Sequence, residues 1–442
     1  MPHAVFSFPK GFLWGTATAS HQVEGRNTNN NWSAWEKYPG HIVNDQKAGL
    51  ACDWWGGRWR EDFDRAAEAG QNAHRFSIEW SRIQPAPDRW DEQALDVYRD
   101  MARGLIERGL TPIVTLHHFT EPTWLADYGG WEGEEAIPYF AAYARKVVEA
   151  LSSFVNQWVT FNEPNTYIFG GYAGGGFPPG KNNLGAALKA MANMVRAHAA
   201  AYKAIHAAQS RAQVGITQYY RSLKPAHAWF PLDIAPAAAQ AQIFNHAFPR
   251  ALLDGRFNGV FKRAYLPEAA HTLDFLGVNY YTRDMVSFSL RHAGQLFGKR
   301  TFPKGAEMSE TGFMANVPDG LFEALKWGCN FKVPLLVSEN GIEDRDDRLR
   351  PRYLIQHVHQ VWRAVNYCWP VRGYFHWTLV DNFEWERGWT QRYGLWELNE
   401  QTQVRRKRPS AELYSRICHE NSLSSSLVAQ YAPELSPVIF PG

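Results

Sequence analysis

Eight strand-like runs separated by stretches of helical period constrain this chain more than any single motif in it. The runs are FLWGTA near Phe12, HRFSIEW (His74 to Trp80), TPIVTLHH (Thr111 to His118) and WVTFNE from Trp158. QVGITQY from Gln213, DFLGVNYY from Asp274, PLLVSE from Pro334 and VRGYFHWTL from Val371 complete the set. Between them apolar residues recur at helical spacing, as in Leu95, Tyr98, Met101 and Leu105, or Phe140, Tyr143, Val147, Leu151 and Phe154, or Leu354, Val358, Val361 and Val365. Such alternation favours a parallel sheet with crossover helices, and eight rounds suit an α/β fold of the (β/α)8 TIM barrel type. The 442 residues exceed the usual length of one domain, yet barrels run that long as single units, and no Pro/Gly/Ser linker interrupts the rhythm. One barrel domain is therefore expected over residues 1–420. Residues 421–442, rich in Ser and Pro, read either as a C-terminal tail or, through Val428, Tyr431, Val438 and Phe440, as a segment packed on the barrel exterior.

Composition removes several classes of function. Lys and Arg (46) nearly balance Asp and Glu (44), so a net charge of +2 gives no field for nucleic acid or an acidic membrane surface. The N-terminus MPHAVFSFPKGF lacks the charged start and apolar core of a signal peptide, and no apolar run approaches the ~18 residues of a membrane span. A cytoplasmic protein is expected. Cys52, Cys329, Cys368 and Cys418 form no CxxC pair and are expected to be free, buried thiols. Nineteen tryptophans stand out; they serve as core filling or as faces on which the C–H surface of a sugar ring stacks.

In a barrel of this kind the reacting groups sit where strands end and the following loops begin. Those positions hold Gln22 and Glu24 after the first strand, Arg75, Ser77 and Glu79 on one parity of the second, and His117 and His118 after the third. Asn162 and Glu163 end the fourth, Asn279 and Tyr281 the sixth, Glu339 the seventh, and Asp381, Asn382 and Glu384 follow the eighth among Trp377, Trp385 and Trp389. Taken singly, each has an ordinary reading: a satisfied core histidine for His117 or His118, an ion pair for Arg75, a packing residue for Trp377, a solvated strand terminus for Glu163. The pair of glutamates changes this. Glu163 in WVTFNEPN and Glu339 in PLLVSENG arrive on nearly opposite strands, amid aromatic walls and neutral hydrogen-bonding groups. That set suits glycosidic bond cleavage, whose oxocarbenium-like transition state needs one carboxylic acid and one carboxylate. Metal chemistry fits less well, because His117 and His118 point to opposite sides of a strand and His357 and His359, two apart on a helix, share no face. No GxGxxG follows a strand. GGFPPGK (Gly175 to Lys181) fails as a phosphate loop, since Asn182 replaces the Ser or Thr and Pro178 and Pro179 remove two N–H donors. Neither a metal nor a cofactor is expected.

Taken together the motifs resemble glycoside hydrolase family 1, the β-glucosidases and related β-glycosidases. The likeness rests on FPKGFLWGTATASHQVEG (Phe8 to Gly25), RFSIEWSRI from Arg75, WVTFNEPN, DFLGVNYYT, LLVSENG and GYFHWTLVDNFEWERGW from Gly373. It implies a retaining exo-β-glycosidase whose partner is a small-molecule glycoside: an unphosphorylated β-glucoside, with tolerance for β-galactosides or β-fucosides. Cleavage would run by double displacement through a covalent glycosyl-enzyme. The resemblance makes Glu163 the general acid/base and Glu339 the nucleophile, with Arg75, Tyr281 and Asn279 supporting the latter. It makes Gln22, His118, Asn162 and Glu384 ligands of the first sugar, Trp377 its stacking floor and Trp385 a hydrogen-bonding wall. A carboxylate at Glu384 resembles members acting on unphosphorylated sugars and is expected to repel phosphate. Phe119, Ser338 and Trp389 depart from the family pattern, which bears on aglycone fit and sugar preference and not on reaction class. Two alternatives stay open: a transglycosylating member that excludes water, and a non-catalytic sugar-binding barrel.

Overall fold

The structure, a computed structural model, describes residues 4–260 and 263–441. Its centre is a closed barrel of parallel strands in sequential order: β1 Leu13–Ala17, β2 Ala73–Ser77, β3 Thr111–His117, β4 Gln157–Asn162, β5 Gln213–Tyr219, β6 Phe275–Asn279, β7 Leu335–Asn340 and β8 Val371–His376, which pairs back onto β1. A helix packs outside after each strand: α1 Trp59–Glu68, α2 Glu92–Glu107, α3 Ala136–Leu151, α4 Leu184–Ala208, α5 Ala247–Asp254, α6 Asp319–Gly328, α7 Arg350–Asn366 and α8 Pro409–Glu420. All eight apolar runs of the sequence thus become barrel strands. The expected strand His74 to Trp80 stops early, at Ser77, because the Glu79 side chain turns to accept the Ser81 N–H and starts the short helix Trp80–Ile83.

The helices form for the reasons their periodicity suggests. In α2 the stripe Leu95, Tyr98, Met101 and Leu105 is wholly buried, and Asp91 accepts the Ala94 N–H at 2.9 Å, a cap worth about 1 kcal/mol. Most of the large tryptophans serve the core: Trp14, Trp32, Trp80, Trp131 and Trp158 are fully buried. The thiols are less uniform than expected; Cys52 and Cys418 are buried, but Cys329 is half-buried and Cys368 exposed.

Two features of the barrel bear directly on the site. The ladder slips in register between Val159 and Asn162 (β4 on β5), between Val278 and Asn279 (β6 on β7) and between Val337 and Asn340 (β7 on β8). Such irregularities re-aim side chains, and each lies beside a predicted site residue. Gly277 on β6 permits the crowding there: a Cβ would stand 2.4 Å from Thr217 and 2.5 Å from the Ser338 hydroxyl.

The two chain ends meet on the outside of the barrel. Val5–Ser7 pairs antiparallel with Ser422–Ser424, and Phe6 stacks on Trp362 of α7 at 4.0 Å and on Phe440 at 4.3 Å. Of the four apolar residues beyond 421, Val428 and Phe440 are buried, Tyr431 is half-buried and Val438 is exposed. Among the described residues no helix is long and apolar enough to cross a membrane.

Candidate active site

A cavity of about 190 Å³ opens where the barrel strands end, and His118, Asn162, Glu163, Tyr281, Glu339, Trp377, Glu384 and Trp385 line it. Glu163 follows the last residue of β4. Its backbone N–H donates to the Thr217 carbonyl of β5 at 2.7 Å, and its backbone then takes the left-handed conformation (φ 42°, ψ 56°) before Pro164 opens a short helix, Pro164–Ile168. A side-chain-bearing residue adopts that conformation at a cost of roughly 1–3 kcal/mol. The compensation is local: the Thr217 bond fixes one side, and Pro at the first helical position lacks only an N–H that the helix leaves unused. Glu163 Oε1 accepts from Asn279 Nδ2 at 2.8 Å. Burial, followed by the charge of Glu339, pushes its pKa up to about 8.

Glu339 lies within β7, and its two oxygens are claimed separately. Arg75 donates to Oε1 at 2.6 Å and the Tyr281 hydroxyl to Oε2 at 2.6 Å. Arg75 is fixed inside the barrel by a bond from Nε to Thr115 Oγ1 (3.0 Å) and one to Asn162 Oδ1 (2.7 Å). Burial and the facing carboxylates hold the Tyr281 hydroxyl well above its usual range, so it stays a donor. Asn279 departs from the expectation that it supports Glu339. The slip between Val278 and Asn279 turns its amide toward Glu163, while its Oδ1 accepts from Ser338 at 2.6 Å.

Asn162 links Arg75, Thr217 and Asn279 to His118. Its Oδ1 accepts from Arg75, Thr217 and Asn279, and its Nδ2 donates to His118 Nε2 at 2.9 Å. Burial and the nearby Arg75 charge hold the His118 pKa well below its usual value, so the ring is neutral; with Nε2 accepting, the proton sits on Nδ1, which has no protein partner. Trp377 donates to Glu384 Oε1 at 3.1 Å, and Trp385 stacks on His118 at 5.9 Å. Gln22 does not line the pocket. It is wholly buried, donates to the Phe383 carbonyl at 2.7 Å and leaves its Oε1 unpaired. Glu384 also differs from expectation: burial, with Glu339 and Glu386 nearby, holds its pKa well above the carboxylate range, and among the described residues no cation pairs with it.

Other candidates lie elsewhere. Glu24 accepts from Tyr98 at 2.7 Å and Arg82 at 2.8 Å, and Glu79 accepts from Ser20, Thr120 and Ser81, all in a buried network behind the pocket. Asp381 is held by Arg408 at 2.8 and 2.9 Å, and His117 faces Glu121 at 3.1 Å on the outer side of β3. Among the described residues no three His, Cys, Asp or Glu converge as metal ligands. The pocket also takes residues not anticipated from sequence: Tyr219 at the end of β5 and Arg221 just after it, Phe313 and Met314 from the excursion between β6 and α6, and Arg387 and Gln391 after β8. Tyr219 and Arg221 satisfy the same strand-end rule as the others; no comparable signal marks Phe313 or Met314.

Comparison with known proteins agrees with this geometry. The family model described as glycosyl hydrolase family 1 matches residues 5–423. The chain is 32% identical to β-glucosidase A of Thermotoga maritima over 460 residues, which spans 95% of this chain and 99% of that protein. It is 30% identical to a β-galactosidase of Sulfolobus acidocaldarius, over 96% of this chain and 97% of that one. A solved β-glycosidase from Pyrococcus horikoshii superposes with a TM-score of 0.90 at 36% identity, covering 97% of this chain and 98% of its own. The chain belongs to glycosyl hydrolase family 1.

Proposed function

We propose that the protein is a retaining exo-β-glycosidase that hydrolyses unphosphorylated β-glucosides and tolerates β-galactosides, with Glu339 as nucleophile and Glu163 as general acid/base. The observation that carries the reading is the unequal treatment of two buried carboxyls facing one cavity. Arg75 and Tyr281 each donate to one oxygen of Glu339, while burial and the Glu339 charge keep a proton on Glu163. In the first step Glu339 bonds to the anomeric carbon as the bond to the leaving oxygen breaks, and the Glu163 proton goes to that oxygen. Forming the ester consumes the charge of Glu339, so the main electrostatic support for the Glu163 proton is withdrawn. Glu163, now ionised, takes a proton from water as its oxygen displaces Glu339, and the β configuration returns.

The first sugar has donors and acceptors waiting. His118 offers an Nδ1 proton and Asn162 its remaining amide hydrogen, with Trp377 and Trp385 as aromatic faces. Selection against phosphorylated sugars rests on the Glu384 carboxyl, with which no cation pairs among the described residues. The free thiols, one of them exposed, suit a reducing cytoplasm, and residues 421–441 serve as an exterior brace of one catalytic domain. Proton NMR of a β-glucoside digest tests the mechanism: the β-anomer should appear first, and an initial α-anomer would overturn retention. A panel of nitrophenyl α- and β-glycosides tests the substrate, with turnover expected for the β-glucoside first, then the β-galactoside or β-fucoside, and none for the α-glycosides.

A further inference from the structure

The chain after Glu163 borders two cavities. Thr166 and Phe177 line the active-site pocket, whereas Phe169 and Ala173 line a second cavity of about 470 Å³ that shares no lining residue with the first. Tyr219, Phe244 and Phe169 stand between them, in ring contact at 5.7 and 5.5 Å. Two π-helical turns, Phe169–Ala173 and Gln242–His246, contribute to its wall. Turns of this type are rare and gather where a side chain is repositioned for function. Phe169, Leu184, Ile243 and Leu296 supply an apolar side; Lys299 and Arg300 supply a cationic one, and no carboxylate lines the cavity.

Arg300 is the unusual group. Its one hydrogen bond among the described residues runs from Nε to Gln240 Oε1 at 2.8 Å, and Gln240 is itself fixed by bonds to the carbonyls of Gln295 (2.7 Å) and Gly298 (2.9 Å). The neighbouring carboxylate, Asp284, lies 3.9 Å from Arg300 Nε and is already gripped through both oxygens by Arg221. Two guanidinium groups thus share one carboxylate, leaving a positive charge beside the cavity. Burial and the Arg221 charge pull the Arg300 pKa down to about 10, the direction expected of a cation short of an anion.

We propose that this second cavity binds a small organic acid with an aromatic body, its carboxylate on Arg300 and its ring against Phe169, Leu184 and Ile243. A guanidinium with free terminal nitrogens matches a carboxylate in two parallel bonds. Inorganic phosphate would leave the apolar wall wet, and a sugar would find too few neutral hydrogen-bonding partners there. The test is calorimetric titration of the full-length enzyme with 4-phenylbutyrate and with its neutral amide. A 1:1 complex with a Kd below about 1 mM is expected, with the amide and Arg300→Gln each weakening it about tenfold or more. Ile243→Trp should fill the cavity and abolish binding; Arg300→Gln, at the cavity wall, keeps the test readable where the tryptophan variant fails to fold. No binding at about 10 mM acid, or equal binding of acid and amide, or unchanged affinity in Arg300→Gln, would overturn the proposal.

Discussion

The ends of β4 and β7 present the same residue in the same kind of place and treat it in opposite ways. Glu163 is 6% exposed and Glu339 3%, so burial alone does not separate them. Glu163 receives a neutral amide from Asn279 and sits on a left-handed backbone. Glu339 stays in extended strand and receives a guanidinium and a phenol. The difference originates outside both strands: Arg75 belongs to β2 and Tyr281 follows β6. Two similar motifs become an unequal pair because the barrel brings two other strands, β2 and β6, to bear on them.

The comparison is broken most severely by deleting the charged member. Glu339→Ala is expected to lower turnover of nitrophenyl β-glucoside by about 10⁴-fold or more, since no other group near the anomeric carbon forms the ester. A loss under about 100-fold would return the nucleophile role to another residue. Glu163→Gln should act selectively: about 10²–10⁴-fold on alkyl glucosides, whose leaving oxygen needs a proton, and far less on dinitrophenyl glucoside, which does not. Equal losses on both substrates would remove the acid role.

Asn279 allows a gentler probe of the same contrast. Its hydrogen bond favours the ionised form of Glu163 and opposes the upward pull of burial. The basic limb of kcat/KM against pH is expected near 8 in the native enzyme, because the proposed acid role needs Glu163 protonated. Asn279→Ala should move that limb upward and leave the acidic limb in place. Movement of the acidic limb instead would restore Asn279 to the support of Glu339.

What could be read from the residues follows the same division. Parallel strands covered on both faces give short apolar runs, so all eight strands were legible, and closure of the barrel made residues at their ends converge. Depth and direction were not. Gln22 stands at a strand end yet lies behind the pocket surface, held by the Phe383 carbonyl. A one-residue slip at Val278 and Asn279 decides which glutamate Asn279 meets, and nothing local in DFLGVNYY announces it. Phe313 and Met314 reach the pocket because Glu343 accepts from Ser309 at 2.7 Å and from the Thr311 N–H at 3.1 Å, a long-range clamp on the intervening loop. Such loop placements depend on tertiary contacts that carry no periodic signal.

The smallest expected effect concerns stability, and it separates the two glutamates without any substrate. Glu163 has a folded pKa of about 8 against an ordinary 4.5. Below pH 4.5 the carboxyl is protonated in both states, and the shift has no effect on stability. As pH rises through the interval, the unfolded chain gains by ionising while the folded chain holds its proton, so stability falls until the folded pKa is passed. Glu163→Gln removes the ionisation from both states and should therefore raise Tm relative to the native enzyme by about 2–5 °C more at pH 8 than at pH 4.5. Glu339→Gln should show no such gain, because it leaves Arg75 buried beside a group that no longer carries the opposing charge. Differential scanning calorimetry at the two pH values reads both variants; a pH-independent difference for Glu163→Gln would mean that its carboxyl is not held protonated by the fold.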